Sequence, residues 1–224
     1  MRQKLLIGDK APVFCARSTE GDFCLENTQG RWILASFCPQ SFTPVATSEL
    51  LAQYKMKSIF NELKCSYFLV TGSSLFSNLA WIMEISSIFG VQIDTPVLED
   101  PTYAIFKEYG VFSSISETRA FFIIDPFNNI RWFSEYPQNV GQSLSEIIRI
   151  LRALQHVDET RRLAPADWLP GDCTYHAAGL TRAEILKLGP TWFYRTEDEK
   201  VHKKSSQRGC KNLHNPRDKT IKQA

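Results

Sequence analysis

The chain has 224 residues with 43% hydrophobic content, enough for one large or two small domains with an ordinary core. It holds no run of about 18 apolar residues, so no membrane-crossing helix is expected. The net charge of +2 is unevenly spread: from Lys200 onward there are eight Lys/Arg against one Asp, which leaves 18 basic and 23 acidic residues in a mildly acidic body.

Domain-like sequence begins by Ile7, with no room before it for a charged segment, an apolar stretch and a cleavage site. A cytoplasmic location is expected. Six cysteines (Cys15, Cys24, Cys38, Cys65, Cys173, Cys210) include no CxxC pair and no zinc-type spacing. They read as six free thiols in a reducing compartment, with no metal and no cofactor expected.

In chain order, Ile33 to Phe37 is a short apolar run ending before Pro39, a buried-strand pattern. From Val45 the period changes, and Met56, Ile59, Phe60 and Leu63 fall on one helix face. Tyr67 to Val70 is a second strand, closed by Gly72, and Phe76 to Phe89 a second helix stopped by Gly90. Asp100-Pro101 predicts a cap and a first-turn proline for a short helix ending near Gly110. Phe121 to Ile124 and Ile130 to Phe133 flank a turn-forming Asp125-Pro126-Phe127-Asn128-Asn129, a hairpin signal. Ser143 and Glu146 form a capping box before the stripe Leu144, Ile147, Ile148, Leu151, Leu154. This alternation of strands and helices predicts an α/β fold, a central sheet flanked by helices. The organisation predicted is a domain over 1–155, a C-terminal arm over 156–198 and a basic, disordered tail over 199–224. Within the arm, Thr181 and Glu184 predict a capped short helix.

Five strings carry a family resemblance. Gly8-Asp9-Lys10-Ala11-Pro12-Val13-Phe14 opens the series, and Pro39-Gln40-Ser41-Phe42-Thr43-Pro44-Val45-Ala46-Thr47-Ser48-Glu49 follows. Leu98-Glu99-Asp100-Pro101 with Tyr109-Gly110-Val111, then Arg119-Ala120-Phe121-Phe122-Ile123-Ile124-Asp125-Pro126 with Ile130-Arg131, and finally Pro165-Ala166-Asp167-Trp168-Leu169-Pro170-Gly171 complete it. In this order they resemble the peroxiredoxins, closest to the one-cysteine branch. The resemblance implies a thioredoxin-like fold and a thiol-dependent peroxidase acting on hydrogen peroxide or organic hydroperoxides. It also implies a homodimer or higher oligomer through the C-terminal arm, and a thioredoxin-like or small-thiol reductant.

One position departs from the pattern. Ala46 stands where the family carries its peroxide-reducing cysteine, and a methyl group cannot attack a peroxide. The resemblance assigns Thr43 as the hydroxyl that binds peroxide, Arg119 as the active-site cation, Pro39 as the shield from water and Glu49 as the carboxylate orienting the arginine. Thr47 or Ser48 is predicted to cap a helix beginning beside Ala46. Gln142 stands where some relatives have a second arginine, and Ala164 where two-cysteine members have a resolving cysteine. Cys173 or Cys210 remains for that role, or both are incidental. Cys38 is the one thiol predicted near Ala46: either a relocated nucleophile or a buried hydrophobe at a strand end, where burial would raise its pKa.

Three functions stay open at this level: a peroxidase whose position 46 is natively Cys, inactive as written; a natural pseudoenzyme serving as a dimeric scaffold; or a redox protein using Cys38. The tail carries no aromatic residue to stack on bases, so a nucleic-acid partner is not expected. Trp168, Trp192, Phe193 and Tyr194 in the arm are expected to bury against the body of this chain or of another; the family resemblance points to another.

Overall fold

The computed structural model describes residues 4–112, 118–176, 181–189, 192–193 and 195–197. Two compact units divide between Leu144 and Ser145, ahead of the boundary at 155 that the change of composition suggests. Leu144 opens a helix of 17 residues, so nearly all of that helix counts with the second unit.

The first unit is built on a seven-stranded sheet. A hairpin of β1 (Cys15–Ser18) and β2 (Gly21–Cys24) forms one edge, and Leu25–Thr28 is a short 3-10 turn. Then come β3 (Trp32–Cys38), α1 (Pro44–Lys55), α2 (Lys57–Glu62), β4 (Cys65–Thr71), α3 (Leu75–Phe89), β5 (Val97–Glu99), α4 (Ala104–Glu108), β6 (Thr118–Ile124) and β7 (Ile130–Pro137). The strand order is β2-β1-β5-β4-β3-β6-β7, with β3 parallel to β4 and antiparallel to β6. This mixed sheet with helices against it agrees with the thioredoxin-like core expected.

Strand alternation sorts the core into two layers. Ile33, Ala35 and Phe37 join Phe68, Val70, Phe106, Tyr109 and Phe122 on one face. Cys38 joins Ala46, Leu50, Leu69, Trp81 and Ile85 on the other, under α1 and α3. Strand β3 is buried along its whole length, which is why its sequence, Ser36 apart, is apolar on both faces rather than alternating.

Several local expectations hold. Gly90 ends α3 at φ 64°, as expected; the N-cap, unassigned from the sequence, is Ser74, its hydroxyl accepting from the Ser77 N–H at 3.3 Å. Asp125 organises the β6–β7 turn by accepting from the N–H groups of Phe127 and Asn129. Others are corrected. The helical stripe through Met56 breaks at that residue, which ends α1 and begins α2. Pro101 is not in the first turn of α4, which starts at Ala104 with Tyr103 rather than Asp100 as its N-cap; the Asp100 carboxylate nonetheless accepts from the N–H groups of Ala104 and Phe106. The β1–β2 hairpin is absent from the sequence reading, because no strand there reaches five residues.

The second unit contains α5 (Leu144–Thr160), β8 (Thr174–Tyr175), α6 (Arg182–Leu188) and β9 (Thr196–Glu197), with β8 and β9 antiparallel. The predicted Thr181–Glu184 capping box opens α6. Trp168 is 3% exposed in the single chain, its ring 4.6 Å from that of His156 and its indole N–H donating to the Asp172 carbonyl. Of the two alternatives for the arm's rings, Trp168 takes burial in its own chain rather than against a second subunit. Phe193 stays 67% exposed; Tyr194, Cys210 and the basic tail lie outside the described residues. Among the described residues no helix is long and apolar enough to cross a membrane.

The expectation of six free thiols is also corrected. Cys15 and Cys24 form a disulfide, and Cys173 is disulfide-bonded as well; Cys38 and Cys65 are free and buried. The spacing of nine residues hid the first pair, because only the hairpin places its ends opposite each other.

Candidate active site

The segment after β3 leaves the sheet at Pro39 and turns into α1. Helix α1 begins one turn earlier than Thr47 or Ser48 would allow. Thr43 is the N-cap, its hydroxyl oxygen accepting from the Ala46 N–H at 3.4 Å, and Pro44 occupies the first turn. Proline fits there because that turn's N–H groups have no partner within the helix. The Thr47 hydroxyl donates instead to the Thr43 carbonyl and accepts from the Trp81 indole N–H at 3.1 Å; the Ser48 hydroxyl donates to the Val45 carbonyl. Ala46 therefore sits at the positive end of α1, 1% exposed.

Arg119 reaches the same place from β6. The β3–β6 register runs to Phe37↔Ala120, and one step further it sets Arg119 opposite Cys38. The guanidinium is 1% exposed and makes its contacts inward. Its Nε donates to both Glu49 oxygens at 3.0 and 3.1 Å, and its Nη2 to Glu49 Oε2 at 2.6 Å. Nη2 also donates to Cys38 Sγ at 3.3 Å, and Nη1 to the Gln138 carbonyl at 3.4 Å. Glu49, on the buried face of α1 one turn after Ala46, additionally accepts from the Gln142 N–H at 3.0 Å. Gln142 thus contributes a backbone donor to the carboxylate. Burial works against the Arg119 charge, but the bonds to Glu49 prevail and hold its pKa above the ordinary arginine value.

Cys38 is 1% exposed, and its thiol donates to the Gln40 carbonyl at 3.2 Å. Burial pushes the thiol up; the Arg119 charge and the Gln40 bond oppose that push without overcoming it. Pro39 is buried, and its carbonyl accepts from the Gly72 N–H at 3.1 Å and from the Tyr103 hydroxyl at 3.4 Å. Gly72 is needed for this close approach: a Cβ there would lie 2.5 Å from the Tyr103 ring and 2.7 Å from the Pro39 carbonyl oxygen.

The structure thus brings Cys38, Ala46, Glu49 and Arg119 together, with Pro39 and Thr43 on the connecting loop. A second layer is absent from the sequence reading. Asn78, fully buried in α3, accepts from the hydroxyls of Ser41 and Thr71, both at 2.9 Å, and ties the loop to the end of β4. Its signal is an asparagine in register with Trp81 and Ile85 on the buried face of an otherwise apolar helix.

Comparison with known proteins matches this frame. Residues 7–133 match the AhpC/TSA family. The chain is 40% identical over 169 residues to peroxiredoxin 2 of Caldanaerobacter subterraneus subsp. tengcongensis, covering 74% of this chain and 76% of that one. It is 34% identical over 196 residues to peroxiredoxin 2 of Thermoplasma acidophilum, covering 84% of this chain and 98% of that one. Among solved structures it is similar to the yeast mitochondrial 1-Cys peroxiredoxin, whose thiol is resolved via glutathione/thioredoxin systems; the TM-score is 0.73 at 28% identity, over 76% of this chain and 85% of that one. The chain belongs to the AhpC/TSA family and is a peroxiredoxin by fold and sequence.

Proposed function

We propose that this chain keeps the peroxide cradle of a thiol peroxidase without its nucleophile. With Ala46 in place it does not turn over peroxide. With a cysteine at 46, the same groups would make a peroxidase for hydrogen peroxide or organic hydroperoxides, re-reduced by a small thiol or a thioredoxin-like protein. The observation that supports this reading is the position of Ala46. It lies in the first turn of α1, its N–H capped by Thr43, beside an intact Glu49–Arg119 pair. A sulfur there would gain from the helix N-terminus and a nearby cation, the two features that lower a thiol pKa. These groups stabilise charge but cannot themselves form the sulfur–oxygen bond of a sulfenic acid.

The second reading, Cys38 as relocated nucleophile, is favoured by the 3.3 Å contact from Arg119. Its place argues against it: Cys38 ends β3 rather than opening α1, so no helix N-terminus offsets the burial that keeps its thiol protonated. In either reading we propose self-association through the arm, supported by exposed Leu186 and Phe193; sedimentation of the full chain as a monomer at micromolar concentration would contradict it.

The functional test is sulfenic-acid trapping with a 1,3-diketone under excess peroxide, followed by peptide mapping. No adduct is expected on Cys38. An adduct there, formed with continuing peroxide loss, would replace the present reading with the relocated-thiol one.

A further inference from the structure

The sulfur chemistry of this chain is not confined to the cradle. Cys15 and Cys24 are cross-strand partners, and the Leu25 N–H donates to the Phe14 carbonyl at 3.1 Å just beside them. That places the two cysteines at a position of the ladder without mutual hydrogen bonds, where opposed Cα atoms come closest; here they are 4.1 Å apart. Strand alternation turns Phe14 inward and Cys15 outward, so Cys15 is exposed and Cys24 half-buried. Arg17 shares the outer face with Cys15 and is ion-paired to Glu99.

The hairpin is held by more than its sulfurs. Phe14 and Leu25, which flank the pair in sequence, are core residues. Phe14 meets the rings of Phe23, Phe68 and Tyr109. The tight end is closed by the Ser18 hydroxyl donating to the Gly21 carbonyl at 2.7 Å. Opening the disulfide therefore leaves the two sulfurs facing each other, ready to re-form it without a chain search.

We propose that Cys15–Cys24 is a reversible dithiol–disulfide couple that exchanges with low-molecular-weight thiols, a redox site independent of position 46. A thiolate RS⁻ attacks the accessible Sγ of Cys15; the bond to Cys24 breaks, and its electron pair leaves on Cys24 Sγ, which takes a proton. A second RS⁻ attacks the R-group sulfur of the mixed disulfide, RSSR departs, and the Cys15 thiolate is protonated. Two thiols are oxidised to one disulfide and one protein disulfide is reduced, a two-electron exchange that runs backwards when RSSR is in excess.

The test uses the full chain, folded, with millimolar reduced glutathione at neutral pH, then maleimide and peptide mapping. Circular dichroism on the same sample reports the fold. Expected is loss of the cross-linked 15–24 peptide with one maleimide gained on each cysteine at unchanged circular dichroism, and recovery of the cross-link with oxidised glutathione. Cys24→Ser treated with oxidised glutathione should carry one glutathione on Cys15. Two results would overturn the proposal. One is a pair that resists glutathione until the chain is unfolded in guanidinium, a purely structural disulfide. The other is a pair that labels fully in protein purified without reductant and does not close with oxidised glutathione.

Discussion

Cys38 lies at the end of a central strand, enclosed, with a guanidinium donating to its sulfur. Cys15 stands on the outer face of an edge hairpin, exposed and bonded to Cys24. By the simplest electrostatic rule the thiol beside the arginine should be the reactive one. The structure argues the reverse. Arg119 is committed to Glu49 through three contacts, and burial costs the Cys38 thiolate more than the remaining attraction returns. A neighbouring cation activates sulfur only where solvent, or a helix N-terminus, also favours its charge. In this chain that place belongs to Ala46.

The contrast can be broken at the buried pair. Glu49→Ala leaves Arg119 enclosed without its counter-charge, and unfolding in urea should show a loss of about 3–5 kcal/mol. The glutathione response of Cys15–Cys24 should not change. Equal stability of this variant and the parent would mean that Arg119 swings out to water and that the region is not the closed cluster described.

Raising the pH sharpens the same contrast. Burial pushes the Cys65 thiol up to about 12, with the Arg31 charge and a backbone bond from Leu34 opposing. From about pH 9 the unfolded chain ionises this thiol while the folded chain keeps it protonated. The folded state then binds more protons, so stability falls as pH rises from about 9 and levels off near 12. The loss from this group is about 4 kcal/mol at most. Denaturant titrations across that range should show the fall, and a shallower one in Cys65→Ser. The disulfide-bonded sulfurs of the hairpin do not titrate and add nothing.

Gly72→Ala is a smaller perturbation beside the site. Its Cβ would intrude on Tyr103 and the Pro39 carbonyl, and overpacking of this kind costs about 1–3 kcal/mol. Arg17→Ala, which removes only a largely exposed pairing on the hairpin, should cost about 1 kcal/mol or less. Thermal unfolding of the two variants side by side would rank them; a larger loss at Arg17 would reverse the contrast.

Much of this was legible in the residues. The motif strings place Pro39, Thr43, Glu49 and Arg119 around Ala46, and period changes separate the central strands from α1 and α3. What was not legible has physical causes. Thr43 outcompetes Thr47 and Ser48 as cap because Pro44 supplies a pre-set first turn, a choice among three neighbouring hydroxyls that periodicity does not make. The β1–β2 hairpin is four residues a side, too short for an alternation pattern to register, and the disulfide follows only once that register is known. The contact between Arg119 and Cys38 depends on β3 pairing β6 across 81 residues of sequence, a long-range register no local pattern encodes.

The central claim is that the cradle keeps Thr43, Glu49 and Arg119 and lacks the nucleophile. It is tested by peroxide consumption under excess small-thiol reductant, measured side by side for the chain with Ala46 and for Ala46→Cys. The account predicts no turnover above a protein-free control for the first. For the second it predicts saturable consumption by a thiol with a pKa below the free value of about 8.5. Turnover by the Ala46 chain, or an Ala46→Cys thiol that titrates and reacts like free cysteine, would contradict it.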